Sequence, residues 1–344
     1  MTNNFWKNKT VLITGHNGFK GCWLTKWLDM AGAKVVGLSL EGETDTIDNL
    51  ELSENFVQII GDITDINVLK ELSGFKFDIV FHLAAQAIVK TAKEDPVRTF
   101  NTNVLGTVNL LQELRNQENL KAIVVVTSDK VYQNIETING YVEDDPLMGS
   151  EAYSCSKVCE EQVTKAYYES FFKEMNVSVA TARASNCFGG GDYHFDRLIP
   201  YLEECAYENK VPEIRNPESV RPWQYVLDLL HGYMTLAQWL YENDTKELLS
   251  YNFGPDDSEL YTVGDMANII CGKAASGEKQ SFYEAGLLFI SSKKSLKDLG
   301  WKCIYGVESG LIETTLAYKK YFNKEKASVI YTECINRFEE KLEN

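Results

Sequence analysis

Thr10-Val-Leu-Ile-Thr-Gly15-His-Asn-Gly18-Phe-Lys-Gly21-Cys-Trp-Leu-Thr-Lys-Trp-Leu28 opens with the apolar, β-branched texture of a buried strand, passes through a glycine-spaced turn and ends in an apolar run of helical character. A strand, a glycine turn and a helix N-terminus in that order make a ready anion site: the glycines let a pyrophosphate approach the backbone, and free N–H groups point at it. The spacing alone is common in proteins. Its place between a strand and a helix is what points to a dinucleotide, held by Gly15, Asn17, Gly18, Phe19, Lys20 and Gly21. The alternative is a glycine-rich turn with no ligand.

Outward from this stretch, apolar runs recur at Thr10 to Thr14, Ala33 to Leu38, Phe56 to Ile60, Phe77 to Leu83, Lys121 to Thr127 and Val177 to Arg183, with helical patterns between them. Amphipathic helices are expected over Asn103 to Asn116 and Ser156 to Glu174. Short strands alternating with helices predict βαβ units, hence an α/β fold with a Rossmann-type doubly wound parallel sheet and ligand sites at the carboxyl ends of its strands. Past Arg183 the texture changes to Phe188-Gly-Gly-Gly-Asp192 and a proline-bearing region, where the chain leaves the sheet to build a smaller C-terminal substrate lobe. The expected division is 1–186 and about 222–252 for the nucleotide-binding domain, and about 187–221 and 253–344 for the lobe. Lys326 to Asn344 is charged and helix-prone, and reads as a packing or surface helix.

The 344 residues are 44% hydrophobic, enough for a large core, and carry a formal charge of -16. Such an acidic chain lacks the basic face that a nucleic acid or an anionic membrane needs, whereas a phosphorylated small molecule requires only a few local arginines. No apolar run approaches the roughly 20 residues that span a bilayer, and the start has no signal-peptide pattern. A soluble cytoplasmic protein is expected. The eight cysteines have no spacing that suits zinc or a disulfide framework, the four histidines form no metal set, and no metal is expected.

A carboxylate at the end of the second strand would bind the adenosine ribose of NAD, but this chain reads Gly37-Leu38-Ser39-Leu40-Glu41, which leaves Ser39 at that position. No basic residue stands there for a 2′-phosphate, so NAD is preferred, with NADP open. Asp62 and Ile63 follow the third strand, where a carboxylate could meet the adenine amine or serve as an ordinary turn aspartate.

Two segments carry the chemistry: Thr127-Ser-Asp-Lys-Val-Tyr132 at a strand end, and Tyr153-Ser-Cys-Ser-Lys157 opening a helix. Tyr153 and Lys157, four apart, share a helix face, so the ammonium can lower the phenol pKa from about 10. A phenolate could take a proton from a sugar hydroxyl as hydride leaves the same carbon. The local alternative is that Asp129 and Lys130 form an ordinary surface ion pair beside a structural strand end.

Gly15 to Gly21, His82-Leu83-Ala84-Ala85-Gln86, Asn103-Val-Leu-Gly-Thr107, the TSDK segment and YxxxK together resemble the extended short-chain dehydrogenases that modify nucleotide sugars. More narrowly, GHNGFKG, FHLAAQ, TSDKVYxN, GGGD followed by Asp196-Arg-Leu-Ile-Pro200, and RNPxxxRPWQ are similar to the CDP-glucose 4,6-dehydratases, from Val11 to about Pro255. The resemblance implies NAD as cofactor, with Leu83, Ala84, Ala85, Gln86, Asn103, Thr127, Tyr153 and Lys157 joining the cofactor site.

It also implies a division of roles. Tyr153 deprotonates the C4 hydroxyl while hydride passes to NAD, and Ser128 polarises the 4-ketone. Lys130 removes the C5 proton, Asp129 protonates the departing C6 hydroxyl, and hydride returns to C6. The nucleotide-diphosphate sugar, CDP-glucose by this likeness, would meet Gln86, Ser128, Asn186, Arg197, Arg215 and Arg221, since arginine forks suit phosphate oxygens. Val131 and Gln133 depart from the closest pattern, beside the expected C6 pocket. A homodimer or homotetramer is implied. The competing readings are a 4-epimerase or 4-dehydrogenase, in which Asp129 and Lys130 would be idle, another nucleotide sugar as substrate, and a non-catalytic NAD(P) sensor, which would have no need of Tyr153 or Lys157.

Overall fold

The computed structural model describes residues 4–42, 46–137, 139–194, 197–214, 216–255, 260–273 and 287–343. From the N-terminus the elements are β1 (Thr10–Thr14), α1 (Phe19–Met30), β2 (Lys34–Ser39), β3 (Val57–Ile60), α2 (Ile66–Lys70), β4 (Ile79–His82), α3 (Val89–Glu94), α4 (Pro96–Phe100), α5 (Gly106–Leu114), β5 (Ala122–Val126), α6 (Ala152–Tyr167) and β6 (Ser178–Ala184). There follow β7 (Asn186–Phe188), α7 (Leu198–Tyr207), β8 (Val220–Arg221), β9 (Trp223–Tyr225), α8 (Val226–Glu242), β10 (Leu249–Phe253), β11 (Tyr261–Thr262), α9 (Val263–Cys271), α10 (Lys293–Leu299), α11 (Val307–Phe322) and α12 (Ala327–Glu343).

Seven strands form one sheet in the order β10-β6-β5-β4-β1-β2-β3. The pairs from β6 through β3 are parallel, as the apolar runs predict. Leu12 stands in register with Val36 on one side and Val80 on the other. Successive side chains on a strand point to opposite faces, and here both faces are buried: Leu12, Val80, Ile123 and Val125 join Leu110, Leu111, Tyr168 and Phe172 in one core, while Val11, Ile13, Ile79 and Phe81 are equally sealed. The order reverses at β1, flanked by β2 and β4, and that switch point is where this class of sheet opens a crevice for a ligand.

The helices depart from expectation at their starts. The segment expected as one helix from Asn103 begins as a π-helical turn, Asn101–Leu105, and becomes α-helical only at Gly106. Helix α6 starts four residues before the expected Ser156. Glu151 accepts from the backbone N–H groups of Tyr153 at 2.7 Å and Ser154 at 2.8 Å, and Ser154 Oγ accepts in return from the Glu151 N–H at 3.1 Å, a reciprocal cap that fixes the first turn.

The chain divides into two compact units. One comprises Met1–Gln133, Glu143–Arg183 and Leu230–Tyr251, and the other Asn134–Val142, Ala184–Leu229 and Asn252–Asn344. The first holds the parallel sheet. In the second, β7 pairs in parallel with β9 and β11 pairs antiparallel with β8, and the C-terminal α12 buries Tyr331 and Phe338, the latter stacked on Tyr305 at 5.6 Å. Among the described residues no helix is long and apolar enough to cross a membrane.

Candidate active site

The glycine turn sits at the switch point. Gly15 has a left-handed φ of +76°, and a β-carbon on it would come within 2.8 Å of the Ala84 nitrogen, so the loops that follow β1 and β4 touch there. At Gly21 a β-carbon would lie 2.1 Å from the Gly15 carbonyl oxygen, so α1 can enter the turn only without one. Gly18, the N-cap of α1, brings no side chain of its own to the first turn, which suits that end to an anion. Phe19 and Lys20 open the helix, and Asn17 braces the turn by donating to the Leu40 carbonyl at 2.8 Å. Ser39 ends β2 with its carbonyl taken by Gly61 N–H, and no cation stands beside it in sequence. The cradle therefore fits the diphosphate of NAD.

After β3, Asp62 accepts from both the backbone and the hydroxyl of Thr64 at 2.8 Å, so one of its oxygens closes a local turn, and Ile63 is buried. His16 lies buried and is pulled down to about 4 by its burial.

Between β4 and α6 runs a continuous buried network. Thr107 Oγ1 donates to the Asn103 carbonyl at 2.7 Å, so it must accept from His82 Nε2 at 2.9 Å, and His82 Nδ1 then accepts from Thr14 Oγ1 at 2.7 Å. His82 is a neutral structural residue, held down at about 3 by burial and by the Lys157 charge. The Asn103 side chain accepts from Gln86 N–H at 2.7 Å, and donates to the Gln86 carbonyl and to Ser156 Oγ at 2.9 Å. Ser156 in turn donates to the Tyr153 carbonyl. Leu83, Ala84 and Ala85 line this loop, while the Gln86 amide turns inward onto Ile88 and Thr99. The π-helical turn is thus what carries Asn103 from the cofactor loop to the YxxxK helix, in keeping with the use of such turns at functional sites.

Ser128, Asp129, Tyr153 and Lys157 are all buried. Ser128 Oγ donates to Asp129 Oδ1 at 3.1 Å, accepts from Lys130 N–H and is hydrogen-bonded to the Tyr153 phenol. Burial pushes the Tyr153 phenol up, while Lys157 and Ser128 draw it down; burial prevails, so the lowering expected from YxxxK alone does not emerge as the net result. Burial would depress Lys157, but Glu160 and Tyr153 outweigh it and its ammonium is held above the ordinary value. Asp129 is only 2% exposed, which rules out the surface ion pair, and Lys130 beside it is half-buried.

Sequence reasoning passed over three residues here. Glu160 lies 2.6 Å from Lys157 Nζ, an i,i+3 pairing that simple helix arithmetic reveals. Arg183 clasps Glu161 with two bonds of 2.9 Å, and Glu161 also accepts from Thr127 at 2.7 Å and Thr181 at 2.9 Å, so the strand residue next to Ser128 is anchored through this pair.

In the second unit, Asn186 N–H donates to the Pro222 carbonyl at 3.0 Å, next to Arg221, whose guanidinium donates to the Val220 carbonyl. Arg197 pairs with Asp192 at 2.9 Å. Trp223 is buried and donates to the Tyr261 carbonyl, as a core residue does. Asp196 and Arg215 lie outside the described residues.

The model of the NAD dependent epimerase/dehydratase family matches residues 11–254. The chain belongs to that family. It is 40% identical over 337 residues to a CDP-glucose 4,6-dehydratase of Salmonella typhimurium, covering 94% of each chain, and 27% identical to a UDP-glucose 4-epimerase of Pisum sativum, covering 88% of this chain and 93% of that one. Its fold is that of a dTDP-glucose 4,6-dehydratase of Bacillus anthracis solved with NAD, with a TM-score of 0.78, 23% identity and coverage of 91% and 97%. The expected fold class, family, enzyme type and cofactor all agree with these relatives.

Proposed function

We propose that the protein is a nucleotide-sugar 4,6-dehydratase that converts CDP-D-glucose to CDP-4-keto-6-deoxy-D-glucose. The observation that carries this reading is Asp129, a carboxylate buried beside Ser128 and hydrogen-bonded to it, a step away from the Tyr153 phenol. Burying a carboxylate is expensive, and an epimerase or a 4-dehydrogenase has no use for it at this place. The likeness to the Salmonella enzyme supports CDP-glucose over other nucleotide sugars.

The glycine cradle from Gly15 to Gly21 would hold NAD, which would supply a hydride acceptor for C4 and a hydride donor for C6. The protein supplies the proton transfers. Tyr153 takes the C4 hydroxyl proton, helped by the Lys157 charge, and Ser128 turns its one hydroxyl hydrogen from Asp129 to the new 4-ketone. The ketone acidifies the C5 proton, which Lys130 removes as Asp129 protonates the departing C6 hydroxyl. Asn186, Arg197, Arg215 and Arg221 hold the nucleotide diphosphate, whereas the Gln86 amide, committed to Ile88 and Thr99, shapes the loop and does not reach the sugar. The protein acts as a homodimer or homotetramer in the cytoplasm. Val131 is fully buried, so a change there acts on the sugar pocket through the turn that carries Asp129, whereas Gln133 is exposed.

The test is incubation with CDP-glucose and, in parallel, dTDP-, UDP- and GDP-glucose in the presence of NAD, with products read by mass and proton NMR. Water loss from CDP-glucose without accumulating NADH is the expected result. Water loss from another nucleotide sugar alone would move the substrate, and inversion at C4 would overturn the dehydratase reading.

A further inference from the structure

Glu160 has no part in the steps above, yet its side chain is fully buried at the heart of the site. Its Oε2 lies 2.6 Å from Lys157 Nζ and its Oε1 3.7 Å from His82 Nε2. Lys157 gives a second bond to the Val126 carbonyl at 3.2 Å, so two of its three donors are committed within the protein. The neighbouring Glu161 does not share this task, because both of its oxygens are taken by Arg183.

The charged and titratable groups around Glu160 come from four elements. Lys157, Tyr153 and Glu161 are on its own helix, His82 faces it from β4, Asp129 follows β5, and Arg183 on β6 is occupied with Glu161. His82 is neutral, so the charge that decides the state of Glu160 is that of Lys157.

We propose that Glu160 is a positioning residue for the Tyr153–Lys157 pair: it fixes the Lys157 ammonium against Val126 and, while charged, offsets the pull of that ammonium on the Tyr153 phenol. This rests on the reading of Tyr153 as the base at C4. Burial lifts Glu160 to about 7, against the pull of Lys157. At lower pH, with Glu160 neutral, the ammonium acts on the phenol undivided. At higher pH the carboxylate shares it, and proton abstraction at C4 is harder than Lys157 alone would make it.

The experiment compares the wild-type protein with Glu160→Gln, Glu160→Asp and Tyr153→Phe. One readout is C4 oxidation of CDP-6-deoxyglucose, which has no C6 hydroxyl to lose, followed as NADH across pH. The other needs no turnover: the ultraviolet titration of the one phenol that disappears in Tyr153→Phe, measured in the wild-type and Glu160→Gln backgrounds.

Glu160→Gln is expected to move both the acid limb of oxidation and the phenol titration to lower pH by about one unit, while Glu160→Asp keeps the wild-type positions. Unmoved curves in Glu160→Gln would overturn the proposal and leave Tyr153 as the base. Retention of C4 oxidation in Tyr153→Phe would overturn the base assignment instead, and the proposal with it. Should Glu160→Gln fail to fold, Glu160→Met, an uncharged side chain of similar length, takes its place in both readouts: a shift of the two curves to lower pH supports the proposal, and unmoved curves overturn it.

Discussion

Gly37 lies directly against the imidazole of His16: a β-carbon at Gly37 would stand 2.4 Å from the ring's Cγ. The ring is pinned on its other side, where the Gln58 amide donates to His16 Nε2 at 3.0 Å and to Asn17 Oδ1 at 3.2 Å. The second strand therefore gives up a side chain so that the glycine turn can seat a histidine. Gly37→Ala should cost about 1–3 kcal/mol as an overpacked site and weaken NAD binding, because the ring cannot shift without moving Asn17. Adding His16→Gly should recover most of the stability. Thermal denaturation of the two single variants and the double checks this, and additive losses would sink it.

The Arg183–Glu161 fork is buried at both ends, with side chains 4% exposed. Arg183→Met strands a carboxylate that Thr127 and Thr181 alone cannot neutralise, and should cost about 3–5 kcal/mol in urea denaturation. The double variant Arg183→Met/Glu161→Leu should be more stable than Arg183→Met. A double variant that is weaker than both single variants would contradict this account.

Tyr153→Phe should reduce C4 oxidation of CDP-6-deoxyglucose by on the order of 10² to 10⁴, the usual worth of a positioned base. Asp129→Asn should leave that oxidation detectable while slowing water loss from CDP-glucose. If Asn at 129 abolishes both partial reactions equally, the division of labour is wrong.

Glu203 in the second unit is buried and accepts from Thr315 at 2.7 Å. Burial lifts its carboxyl from the ordinary 4.5 to about 7. The folded form thus binds the proton more tightly than the unfolded chain, so the stabilisation is complete below about pH 4.5 and is lost as pH rises through 7. The difference corresponds to about 3 kcal/mol. Glu203→Gln, which keeps an acceptor for Thr315, should narrow the gap in Tm between pH 5 and pH 8. An unchanged gap would show that Glu203 does not carry this dependence.

Six strands of the sheet were legible as apolar runs bounded by polar turns, and β1 begins and ends where the sequence places it, whereas β10, Leu249–Phe253, was passed over because Ser250 and Asn252 interrupt its apolar character. The paired motifs were legible because their residues lie within one turn of each other. The start of α6 was not, since glutamate is an uncommon N-cap and its acceptance of two N–H groups is seen only in three dimensions. Arg183 and Glu161, 22 residues apart, meet only because α6 packs across β6, and no local pattern announces such a pair. The inward turn of the Gln86 amide onto Thr99 likewise depends on α4, which no period in the sequence ties to the HLAAQ loop.

The string Ala84, Thr14, His82, Thr107, Asn103 passes every hydrogen in one direction, each hydroxyl accepting from one neighbour and donating to the next. Ala84 and Asn103 contribute backbone groups, but none of the three side chains between them can lose its polar group without leaving a polar atom stranded in the interior: valine at 107 strands the imidazole N–H, and valine at 14 strands its lone pair. Positions 14, 82 and 107 therefore form an inherited set, expected to change together across descendants of a common ancestor. Drift at one of them is closed off until the other two give way.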